Sequence, residues 1–302
     1  MSYATSDSRT STDTIDFAAA PISEHGHYSA SESPYCDAPH ISDAPLTASN
    51  NPNAYPTPWE SGNSRPYGRL ANWTLEYLRF QNLQTLRFAP IDVGKIDQPS
   101  INGKFRLWAS EINVVKHNRH IATCRMVLIQ GSSNEIINTW VFPTNPMQHP
   151  VFAAELIAMA RAPRLSFIDV QVPALQSNFK PNVRQIAKRV RQQFPELLID
   201  EVPPEWAIAE SEGQYVFSRS LDQAFFASIA ACYQAYLSAY FGYLDDSQAI
   251  AAGIPASHAA LTELQHYQDH HRISSPGGTF LGKLFGEDWT DAFLQNFLFT
   301  GA

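Results

Sequence analysis

The chain has 302 residues, 44% of them hydrophobic and 17% charged, with a formal net charge of -8. That apolar share can build a sizeable core, yet no run is long and apolar enough to span a bilayer. The first residues carry neither a basic leader nor an apolar stretch, and they are acidic rather than Arg-rich; a secretory signal and a transit peptide are both disfavoured, and a cytoplasmic location is expected. The cysteines Cys36, Cys124 and Cys232 have no metal or redox spacing, which argues against a disulfide framework and a cysteine-bound iron–sulfur cluster.

In chain order, residues 1–66 are rich in Ser, Asp, Ala, Pro and Asn, hold only Arg9 and Arg65 as basic residues and show no helical or strand period. A disordered or loosely held leader is expected there, with one domain over 67–302. Leu70, Trp73, Tyr77 and Leu78 predict a helix with one broad apolar face. Strands are predicted over 105–115, 121–130, 135–142, 151–158 and 165–172, and their short connections favour an antiparallel meander. Helices follow over 183–194, 221–244, 258 to about 272, and 280–299. The order helix, strands, helices predicts an α/β fold, a three-layer α/β/α sandwich with a central antiparallel sheet. No glycine-rich phosphate loop is present, so neither a nucleotide nor a nicotinamide cofactor is indicated.

The strand block from Glu135 to Gln171 keeps polar groups in apolar surroundings: Asn138, Glu155 and Asp169 each interrupt a β-rich run. A carboxylate in such a run pays for desolvation or finds a partner, and is a candidate for a raised pKa and proton donation. Taken singly, each has a plainer reading, with Glu155 at an edge, Asp169 at a turn and Asn138 satisfying backbone.

Three motifs tie these residues together. A strand ending in an aromatic-proline pair (Asn138 to Pro143) is followed by Pro150-Val151-Phe152-Ala153-Ala154-Glu155-Leu156 and then by Ile168-Asp169-Val170-Gln171-Val172-Pro173. A distant second block, Phe285-Gly286-Glu287-Asp288-Trp289-Thr290 to Phe297-Leu298-Phe299, reads as a helix begun by Asp288 with Trp289, Phe293 and Phe297 at helical spacing. Both blocks, in this order, resemble the ferredoxin-dependent bilin reductases, enzymes that reduce biliverdin to phycobilins. The resemblance runs from about Asn102 to the end and is weak between Phe179 and Leu221.

The resemblance implies chemistry with no bound redox cofactor: ferredoxin supplies single electrons, the tetrapyrrole carries the radical and the protein donates protons. Glu155 stands where the family carries a catalytic Asp, keeping the acid with a longer reach. Asn138 falls where members carry His or Asn beneath the bilin, and Asn belongs with phycoerythrobilin- and dihydrobiliverdin-type members rather than the phycocyanobilin type; both residues are assigned to catalysis. Asp169, Gln171 and His149 take supporting places. The family's D-P-x-R-G reads Ser275-Pro276-Gly277-Gly278-Thr279 here, so its second acid and its arginine are absent. Ser275 could order a water, and His266, Asp269, His270 and His271 lie on the adjoining helix, either as proton sources or as a solvated face. His266 and His270 have zinc-ligand spacing but no convincing third ligand, so no metal is expected. One two-electron reduction of biliverdin IXα or a dihydrobiliverdin is the expected reaction; a non-catalytic bilin carrier and a red chlorophyll catabolite reductase-like enzyme are the alternatives.

Lys180, Arg184, Lys188 and Arg191 recur at three- and four-residue steps opposite Val183, Ile186, Ala187 and Val190. They form either a basic docking stripe for an acidic ferredoxin or a solvated helix face. The stripe is short and lacks interleaved aromatics, which argues against nucleic acid. A heme oxygenase is a further candidate partner.

Overall fold

The computed structural model describes residues 65–81, 87–89, 97–116, 119–146, 148–173, 180–198, 202–203, 205–208, 211, 213–251 and 258–300. All but the last two residues of the expected leader, with Cys36, lie outside them. The strands are β1 (Arg87–Ala89), β2 (Asp97–Pro99), β3 (Arg106–Lys116), β4 (Arg119–Gln130), β5 (Glu135–Pro143), β6 (Val151–Met159), β7 (Ala162–Gln171) and β8 (Val216–Arg219). They form a single sheet in the order β1-β3-β4-β5-β6-β7-β8, with β2 also paired to β3. Every pairing is antiparallel.

Helices cover both faces. Alternation along β5 shows why: Ile137 and Val141 point to one side, Ile136, Trp140 and Phe142 to the other, and each set joins a separate core. The first layer consists of α1 (Pro66–Gln81), α2 (Lys180–Arg191) and α4 (Phe226–Ala251), with the short α3 (Glu205–Ile208) between the last two in sequence. Helix α4 is stapled down by buried tyrosine hydroxyls: Tyr233 donates to Thr139 Oγ1 at 3.0 Å and Tyr240 to the Pro150 carbonyl at 3.1 Å. The second layer is α5 (His258–Ser274), α6 (Gly277–Phe285) and α7 (Glu287–Phe293), closed by a π-helical turn, Leu294–Leu298. The α/β/α sandwich is therefore as expected.

The continuous helix expected over 280–299 is broken. Gly286, at φ 96°, ends α6 and precedes α7; a left-handed residue carries no helix, and glycine takes that conformation without steric cost. Asp288 thus sits exposed in the first turn of α7 rather than capping it, while Phe293 and Phe297 are buried as their spacing implies. The predicted helix at 221 starts instead with a 3-10 turn, Gln223–Phe225, capped by Asp222, which accepts from Ala224 N at 2.7 Å. No described helix is long and apolar enough to cross a membrane.

Candidate active site

Register assembles the site. Across β4, β5, β6 and β7, Val127 pairs with Asn138, Asn138 with Glu155, and Glu155 with Phe167. Directly opposed residues project from the same face, so the amide and the carboxylate that interrupt two separate apolar runs stand side by side. The neighbouring row on that face runs Glu111, Arg125, Trp140, Ala153 and Asp169. Between this face and the second helical layer lies a narrow cleft of about 50 Å³, partly open to solvent. Asn138, Trp140 and Glu155 form its sheet wall. His271 and Arg272 of α5, Ser275 and the start of α6 form the opposite wall, and Phe299 closes one side.

Glu155 and Asn138 are half-buried at the edge of the cleft. Burial pushes the Glu155 carboxyl up to about 7, so the protonated and ionised forms are both well populated near neutrality. Asn138 Oδ1, Trp140 Nε1 and His271 Nε2 are buried with no hydrogen-bond partner among the described residues, and such atoms carry a desolvation cost that a polar ligand would relieve. His271 is only 3% exposed. Burial, with the neighbouring His270 adding to it, pulls its imidazole down to about 3 and keeps it neutral.

The remaining sequence candidates separate. Ser275 lines the cleft and its Oγ accepts from Gly277 N at 3.2 Å. Gln171 is fully buried and accepts from the Tyr267 hydroxyl, behind the cleft wall. Asp169, 1% exposed, shares the sheet face and accepts from Val170 N at 2.8 Å through Oδ1. His270 is not among the cleft residues; its ring packs 5.4 Å from that of His271, which is. His149 packs 6.5 Å from the ring of Tyr243 in α4, toward the other helical layer, and burial lowers it to about 4. Helix α2 also belongs to that other layer: Val183, Ala187 and Val190 enter its core, Arg184 and Lys188 are exposed and Arg191 is half-buried. The side chain of Lys180 lies outside the described residues. The basic stripe is thus separated from the cleft by the sheet.

Arg125 was not singled out in the sequence, although its signal matches that of Glu155, a charge inside an apolar strand. It is 5% exposed and paired with Glu111 at 3.1 Å. It donates to the carbonyls of Leu298 and Thr300, both at 3.2 Å, and so ties the segment carrying Phe299 to the sheet. Gln268 adds a second tie, from Nε2 to the Thr300 carbonyl at 2.9 Å.

Residues 106–300 match the sequence profile of the ferredoxin-dependent bilin reductases. The chain belongs to that family. Among curated relatives, the 15,16-dihydrobiliverdin:ferredoxin oxidoreductase of Synechococcus sp. (strain WH7803) is 27% identical over 180 residues, 56% of this chain and 73% of that protein. The Nostoc punctiforme protein of the same name is 21% identical over 174 residues, 57% and 70% of the two chains. Phytochromobilin synthase from tomato, solved in complex with biliverdin, superposes with a TM-score of 0.65 at 18% identity, covering 78% of this chain and 83% of its own; at that identity the likeness speaks for the fold. The chain is a ferredoxin-dependent bilin oxidoreductase, and in this bilin reductase the acidic cleft residue is Glu155.

Proposed function

We propose that this bilin reductase carries out one two-electron reduction of a linear tetrapyrrole, biliverdin IXα or a dihydrobiliverdin, in a couple that includes 15,16-dihydrobiliverdin. The single observation that carries the proposal is Glu155, a carboxyl that burial raises to about 7, beside the unpartnered Asn138 Oδ1 in a cleft between sheet and helices. Reduced ferredoxin gives each electron, the bilin carries the odd electron between deliveries, and Glu155 donates one of the two protons the product needs. Asn138 keeps no titrating proton and orients a pyrrole or lactam group by hydrogen bonding. A heme oxygenase is the proposed source of biliverdin. Ferredoxin is proposed to dock on the face of α2 that exposes Arg184 and Lys188, so that the Arg184→Glu, Lys188→Glu double variant raises the ferredoxin KM several-fold and flattens its salt dependence while bilin affinity stays unchanged. An unchanged ferredoxin KM would move the docking site elsewhere.

The test mixes the protein anaerobically with biliverdin IXα, and separately with 15,16-dihydrobiliverdin, then adds ferredoxin, its reductase and NADPH. Pigment binding shifts the spectrum before electrons arrive, and a reduced bilin then forms from one of the two substrates. A bound spectrum that stays constant under reduction would leave a carrier. No shift with either pigment would remove both as substrates.

A further inference from the structure

Building on the bilin-reductase reading, we infer that His271 is the second proton donor of the cleft, taking from solvent through His270 the proton that accompanies one electron and passing it to the bilin. Donation of two protons needs two sources or a recharged one, and among the described residues that line the wall facing Glu155, namely His271, Arg272, Ser275, Gly277 and Gly278, there is no carboxylate. His271 lies in the last turn of α5, one turn before Ser275, whose backbone N donates to the His271 carbonyl at 3.2 Å, so the imidazole and Ser275 share one wall of the cleft.

The ring is held in place. Tyr267 packs 4.5 Å from it and Trp140 4.8 Å, both edge to face, and Phe299 stacks at 6.4 Å. Tyr267 is in turn fixed by its hydroxyl on Gln171. Inside this aromatic setting Nε2 has no partner although the residue is 3% exposed, the arrangement of a hydrogen-bonding atom reserved for something that enters the cleft. His270, its neighbour in sequence, is partly exposed and lies 5.4 Å away ring to ring, with its own Nε2 buried.

The charge state supplies the timing. The titratable and charged groups around His271 are His270, Asp269 and Arg272 on its own helix and, on the facing side of the sheet, Glu155 and Asp169; β5 and the C-terminal segment present Trp140 and Phe299. In these surroundings the imidazole is neutral at rest. An electron placed on the bilin puts a negative charge against the ring, which favours the imidazolium, and a proton enters with the electron. The bilin radical anion takes that proton and leaves neutral His271. A second electron and the Glu155 proton complete the reduction, and Glu155 regains its proton from solvent. Two electrons leave two reduced ferredoxins, two protons leave solvent, and the bilin gains two hydrogens.

The test is the His271→Gln variant, which keeps a hydrogen-bonding end but cannot carry the proton. Under single-turnover conditions kcat falls a hundred-fold or more, the bilin Kd changes less than three-fold, and an organic radical accumulates in the electron paramagnetic resonance spectrum. Adding Ser275→Asp to that variant returns a carboxyl to the wall, restores turnover and removes the radical. His270→Gln slows wild-type turnover by a smaller factor. Wild-type turnover in His271→Gln would overturn the assignment, as would a slow variant with weakened bilin binding and no radical, which marks a packing role. Failure of the bilin reading itself is separate, since then the unaltered protein reduces no bilin.

Discussion

At the scale of single residues, Glu155 couples the reaction to stability. Its folded pKa of about 7 lies above the ordinary 4.5, so between those values the native state binds more protons than the unfolded chain. Stability is therefore fully present below about pH 4.5 and declines as pH rises through about 7. Each unit is worth about 1.4 kcal/mol, and screening through the open cleft leaves about 1–2 kcal/mol of the total. Glu155→Gln is expected to abolish turnover yet raise Tm by several degrees at pH 8 and leave it unchanged near pH 4.5; an equal or lower Tm at pH 8 would mean that the carboxyl is not destabilised by its site. Arg125 makes the opposite case. Arg125→Met removes the Glu111 pair and the donors to two C-terminal carbonyls, at a cost of about 3 kcal/mol, or a Tm lower by roughly 10 °C. Because the freed segment carries Phe299, bilin affinity should fall as well, and an unaltered affinity would show that the clamp does not shape the cleft.

At the scale of elements, the meander was legible to within about three residues because strands buried on both faces read as short, nearly continuous apolar runs; the predicted strand from 135 to 142 is observed as Glu135–Pro143 and that from 165 to 172 as Ala162–Gln171. What escaped was short or decided by tertiary contact. Strands β1, β2 and β8 have three or four residues each, too few to show a period, and the break at Gly286 depends on a backbone angle that an FGE sequence does not announce. The site was legible on the sheet side, where Asn138 and Glu155 were tied by motif, and less so on the helix side, where four clustered polar residues shared one helix and only packing distinguishes His271 from His270. The β6–β7 hairpin offers a prediction of its own. Its two turn residues, Ala160 and Arg161, have φ of 51° and 62°, a left-handed pair that suits Asn-Gly and strains other residues by about 1 kcal/mol each. Ala160→Asn with Arg161→Gly should raise the denaturation free energy by about 1 kcal/mol without affecting the cleft, and a lower stability would show that the turn's bonds to Ser133 and Asn134 depend on the present side chains.

At the scale of the whole molecule, the two helical layers are unequal. Among the described residues the core beneath α1, α2 and α4 holds 34 buried apolar side chains, while the one beneath α5, α6 and α7 holds 18. The second layer also contains the Gly286 break, the π-helical turn and a cleft bordered by unpartnered polar atoms. Less buried apolar surface means a lower cost of opening, so residues 258–300 should exchange their amide hydrogens through sub-global openings that leave α4 and the sheet protected. This inequality suits a binding face: a bilin entering the cleft would add apolar contact to Trp140 and Phe299 and give partners to Asn138 and His271, with both gains falling on the weaker layer. Hydrogen exchange followed by mass spectrometry should show α5 and α6 exchanging well before α4 in the free protein, and the difference narrowing when bilin is bound. Equal protection of α4 and α6 without ligand would mean that the helices over the cleft are as firmly seated as the rest. Protection gained on α4 rather than on 258–300 would place the pigment on the opposite face of the sheet.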